Sequence, residues 1–83
     1  MVFLAVTPLG LRQAIALSQR APMVIWCGAD AISESGWEDL SGVDVSRFDY
    51  PLAGEPPEVI KGALETIAEH HPHAAVWVEH VSA

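Results

Sequence analysis

Four basic and eleven acidic side chains leave this 83-residue chain at a formal charge of -7, a balance that repels nucleic-acid backbones and anionic membrane surfaces instead of displacing their counterions. Its 51% apolar content and mean hydropathy of +0.27 exclude disorder and supply a core for one small domain, in which folding buries about 60 to 65% of the extended-chain surface. One cysteine, Cys27, excludes an intrachain disulfide and a multi-thiolate zinc centre, and fits a reducing, cytoplasmic setting.

The first apolar run, Val2 to Thr7, has no basic segment before it, and Pro8 and Gly10 cut it far short of the roughly 20 residues that a membrane span requires. It reads as a strand. In "TPLGLRQAIALSQRAP", Thr7 can cap a helix with its hydroxyl, Pro8 suits the first helical position, and Pro22 marks the exit. Leu11, Ala14, Ile15 and Ser18 share one helical face. Gly10 costs helix stability in the first turn, which points to a close approach of backbones.

Met23 to Cys27 is the second strand. The Gly-, Ser- and Asp-rich connection "GADAISESGWEDLSGVD" carries a short helix around Ser35 to Leu40, with Trp37 and Leu40 as its apolar contacts. The third run, Val45 to Tyr50, alternates where the others are continuously apolar, so it belongs at a less protected position such as an edge. "GEPPEVIKGALETIAEHHP" is the strongest helix. Pro56 and Pro57 open it, Glu55 and Glu58 place negative charge at its positive end, and Val59, Ile60, Ala63, Leu64 and Ile67 form the buried stripe. Ala74 to Val81 is the last strand.

Strands alternating with helices define an α/β fold, a single-domain βαβαβαβ three-layer sandwich around a four-stranded parallel sheet with right-handed crossovers. The expected strand order is 2-1-3-4, with 2-1-4-3 as the alternative that places the alternating third strand at an edge.

All four histidines lie in "AEHHPHAAVWVEH", yet a parallel sheet parts them. His70, His71 and His73 precede the last strand and His80 leaves its far end, so seven residues at about 3.3 Å each set His73 and His80 roughly 23 Å apart. One metal cannot hold all four. His70 and His71 have a structural reason to end a helix, where cationic imidazoles are favoured, and no metal site is assigned.

Ligands of open α/β sheets bind outside the carboxyl ends of the strands. The residues expected on that rim are Thr7, Gly10, Cys27, Asp30, Tyr50 and His80. Thr7 and the free N–H groups behind it could receive a small anion or another small molecule, although a plain N-cap is the more frequent role of a threonine placed there. Tyr50 and His80 can both move protons, and adjacent outer strands would bring them together. Neither G-x-G-x-x-G after the first strand nor G-x4-G-K-[ST] occurs, so no dinucleotide or nucleotide cofactor is indicated. Trp26, Cys27 and Gly28 resemble the start of the thioredoxin active site, but Asp30 stands where the second cysteine of that family would be, and no family is assigned on three residues. Asp30 also disfavours a thiolate at Cys27. Trp26 and Trp77 read as core or half-core, and Trp37 either as the exposed aromatic best placed to contact a partner or, equally, as the residue that pins its loop down.

Two functional readings follow. The first is a non-enzymatic binding or assembly module that presents the rim or an apolar edge to a protein partner or to a second copy of itself. The second is a thiol-dependent or small-molecule-handling activity centred on Cys27. A free-standing relative of one domain of a larger enzyme would look the same in sequence as the first.

Overall fold

The computed structural model describes residues 1–81. Its strands are β1 (Val2–Ala5), β2 (Val24–Cys27), β3 (Val45–Arg47) and β4 (Val76–Val78), connected in turn by helices α1 (Pro8–Ser18), α2 (Glu34–Glu38) and α3 (Pro57–His70). All pairings are parallel, with Val2 aligned to Val24 on one side and to Val76 on the other, and Ile25 aligned to Val45. The α/β class and the parallel four-stranded sheet are those expected from the sequence.

The strand order is β3-β2-β1-β4, which corrects both orders expected above. Either of those keeps β2 at the edge and makes the β2-to-β3 connection cross over β1. Residues 28–44 contain only the five-residue α2, so that connection steps to the neighbouring position. The longer crossover falls to residues 48–75, where the 14-residue α3 carries the chain across β2 and β1 to the far side.

Period-2 alternation in β1 feeds both faces of the sheet. Val2, Leu4 and Val6 pack with Phe48, Leu52, Ala63 and Ile67 on the α3 side. Ala5, Ile25 and Cys27 pack with Leu11, Ala14 and Ala31 on the opposite side, beneath α1. Leu4, Ile25 and Ile67 are fully buried, and each stabilises the fold by about 1.5 to 3 kcal/mol relative to exposure.

Local signals fix the helix starts. The Thr7 hydroxyl accepts from the Gly10 N–H at 3.1 Å with Pro8 in the first turn, and the Ser33 hydroxyl accepts from the Gly36 N–H at 3.1 Å. The Ser33 cap starts α2 one residue before the expected Ser35. At the end of α3, His70 Nδ1 lies 3.0 Å from the Thr66 carbonyl oxygen. The rings of His70 and His71 stand 5.4 and 6.2 Å from Trp26, so both have partners at the rim of strand starts, whereas His80 follows β4 at the other rim.

The two edges differ. On β3, Trp37 Nε1 donates to the Val45 carbonyl at 2.7 Å, so of its two expected roles this half-buried indole takes the one that pins its segment to the sheet. On β4, Trp77 is 59% exposed and Val78 41%, which corrects the expectation that Trp77 is core or half-core. Among the described residues, no helix is long and apolar enough to cross a membrane.

Candidate functional site

In this order the succession of strands reverses beside β1: β2 and β3 are added on one side of it and β4 on the other. The crevice between the carboxyl ends of β1 and β4 is therefore the position where ligands of open α/β sheets collect. Here it is occupied by the chain's own Glu79. Glu79 Oε1 accepts from the Val6 N–H at 2.7 Å and the Thr7 N–H at 2.8 Å, and Thr7 Oγ1 donates to Oε2 at 2.5 Å. The Glu79 N–H also continues the ladder to the Leu4 carbonyl at 2.9 Å. A carboxylate at the start of α1 is favoured by the exposed N–H groups and by the helix dipole.

Gly10 explains how the carboxylate fits. Any Cβ at this position would overlap the Glu79 side chain, so the glycine that costs α1 stability is the one that leaves room for Glu79. The sequence raised a close approach at Gly10 but left its partner unnamed. The available signal was a lone charged residue at the exit of an apolar run, in "VWVEH".

A second knot lies at the ends of β2 and β3. Asp30 Oδ1 accepts from the Leu52 N–H and Oδ2 from the Ala53 N–H, both at 3.1 Å. Arg47 donates through Nε to the Ile32 carbonyl at 2.8 Å and through a terminal nitrogen to the Ala29 carbonyl at 3.1 Å. The Ala29 N–H donates in turn to the Tyr50 carbonyl at 2.9 Å. Together these bonds sew the loop after β2 to the loop after β3, and both Asp30 oxygens are spent on backbone. Arg47, which the sequence reading left out of the rim, is part of this lacing.

Cys27 is fully buried beneath α1. Burial pushes its thiol up to about 11, with the Arg47 charge pulling back and the Asp30 charge adding to the rise. At neutral pH it is a protonated, packed side chain, which is the opposite of what a nucleophile needs. Tyr50 is half-buried with its ring 5.1 Å from Phe48, and its phenol is pushed up first by burial and then by the charge of Asp49. Tyr50 follows β3 and the exposed His80 follows β4 at opposite edges of the sheet. Three strand spacings, roughly 14 Å, separate those edges, so the expected juxtaposition of these two groups does not occur.

The rim residues thus divide into Thr7 and Gly10 around Glu79, and Cys27, Asp30 and Tyr50 around the second knot. They do not line one cavity. Tyr50 borders a shallow groove of about 410 Å³ with Pro51, Glu58 and Val59, while a depression of about 490 Å³ opens at the other rim, beside Met1, Met23 and Asp44. Comparison with protein-family models, with curated proteins and with solved structures found no match.

Proposed function

We propose that this chain is a non-enzymatic binding and assembly module, and that its working surface is the open edge of β4, engaged by strand addition. The observation that carries this reading is the contrast between the two sheet edges. β3 is closed by the Trp37 indole and bordered by Asp44, Arg47 and Asp49, the sort of guard that keeps edges from pairing. β4 has no Lys, Arg, Asp or Glu from Pro72 to Val78 and exposes Trp77 and Val78.

Two features weigh against chemistry at the rim. Glu79 fills the crevice that a small anion would use, and Cys27 is packed away with its thiol protonated. The partner class is protein; the charge of -7 disfavours nucleic acid and anionic lipid. A single buried thiol suits the reducing cytoplasm.

The test is chemical-shift mapping with extended apolar peptides titrated into the labelled protein. Perturbations centred on the Val76 and Val78 amides, and lost in Val78→Pro, support strand addition. Binding confined to the loops around Thr7, Cys27 and Tyr50 would replace this reading with a small-molecule one.

A further inference from the structure

We propose that the groove between α3 and the loop after β3 takes an arginine side chain from an exposed, basic segment of a protein partner. This surface is separate from the β4 edge, so the inference stands apart from the strand-addition reading. The groove, of about 410 Å³, has apolar walls in Tyr50, Pro51 and Val59, and Gly62, Glu55 and Glu58 complete its lining.

Gly62 carries the argument. A Cβ at Gly10 would overlap the Glu79 side chain, whereas a Cβ at Gly62 would meet nothing within 4 Å. Glycine in the middle of a helix costs stability relative to alanine, and no contact within the chain requires one here. Because Gly62 lines the groove, the bare backbone leaves room for a group that arrives from outside.

Tyr50 is held ready for that group. The rings of Trp26, Phe48 and Tyr50 follow one another with centroids 5.2 and 5.1 Å apart, so Phe48 steadies the tyrosine on one side and the side toward the groove stays open. A flat guanidinium lies on such a ring better than a compact ammonium does, and its forked donors match a carboxylate two at a time.

Charge selects a cation. From Phe48 to Val81, Asp49, Glu55, Glu58, Glu65, Glu69 and Glu79 stand against a single lysine or arginine, Lys61. Glu79 is already held by backbone N–H groups, but Glu55 and Glu58 are exposed. The start of α3 adds only about half a positive charge beside them, so the two carboxylates prevail. A protein segment fits better than a free small molecule, because small-ligand sites enclose about 70 to 90% of their ligand and a shallow groove covers one side. The remaining attraction comes from the charge of -7, which acts on every basic group of a segment at once.

The test is titration of the labelled full chain with an end-blocked peptide of alternating glycine and arginine, followed by amide chemical shifts. Saturable shifts should centre on Tyr50, Val59 and Gly62. Glu55→Gln and Glu58→Gln should each weaken binding about threefold and together about tenfold. Glu38→Gln removes the same charge from an exposed position on α2 and should change binding by less than about 1.5-fold. Gly62→Ala separates site from fold: it should raise the urea midpoint and yet weaken binding about tenfold. The lysine counterpart of the peptide should bind about threefold more weakly or worse. Shifts spread evenly over the acidic surface, a Gly62→Ala chain that binds as well as the wild type, or a lysine peptide as tight as the arginine one would each overturn the arginine groove. Arginine amide that binds as tightly as the peptide would overturn the protein partner.

Discussion

Trp37 and Val45 are joined by a hydrogen bond of 2.7 Å from the indole N–H to the strand carbonyl, so a side chain from α2 occupies a ladder position that an added strand would need. Trp37→Phe keeps the ring and removes the donor. It should cost about 1 kcal/mol in urea unfolding, the net worth of one hydrogen bond. It should also open the β3 edge, read by size exclusion as species larger than the wild type forms at the same concentration.

Gly10 and Glu79 should behave as one unit. Gly10→Ala forces a methyl into the Glu79 carboxylate and should destabilise the fold, although alanine is the better helix former. Glu79→Ala removes the bonds to Val6 and Thr7 and should cost about 2 kcal/mol. In the double variant the methyl meets open space, so the two costs should fail to add by about 1 kcal/mol or more. Strictly additive values from denaturant unfolding of the four chains would disprove the interlock.

Alkaline pH should expose the cost of burying Cys27. The thiol titrates near 9.0 when free and near 11 in the folded chain. Between those values the folded state holds a proton that the unfolded state has released, so the contribution is complete below about pH 9 and is lost as pH rises toward 11. Up to about 3 kcal/mol disappears across that window, and Tyr50, whose phenol is also pushed up, acts in the same direction. Cys27→Ala should flatten the fall in stability between pH 8.5 and about 10.5, and iodoacetamide labelling of the wild type should track global unfolding.

Asp30 holds the Leu52 and Ala53 amides with one oxygen each. Asp30→Asn keeps a single acceptor and should release one of the two, with a loss of about 1 kcal/mol. Hydrogen exchange at Leu52 and Ala53 should quicken while the β1 amides keep their protection. An unchanged pair of exchange rates would mean that the loop is held by Arg47 and the Ala29–Tyr50 bond alone.

The elements of this fold were legible because their signals are local. Thr7 and Pro8 announce α1, the stripe from Val59 to Ile67 announces α3, and the alternation of Val45 to Tyr50 marks an edge strand, which β3 is. Strand order was not legible, since it depends on how far each crossover reaches, and the brevity of α2 shows only once its ends are known. Glu79 escaped for a related reason: its partners Val6 and Thr7 lie 73 and 72 residues away in sequence. Trp77 was misread because "AAVWV" is as apolar as a doubly covered strand, and apolarity alone does not tell a covered strand from one that awaits a neighbour.

The three indoles occupy three different surroundings. Trp26 lies among Phe48 and the imidazoles of His70 and His71, Trp37 is tied to a peptide carbonyl, and Trp77 faces water. Their fluorescence therefore divides by location without any dye: the bluest emission reports the interior, the reddest reports the outer strand, and a chain keeping one indole at a time reads each region by its own colour.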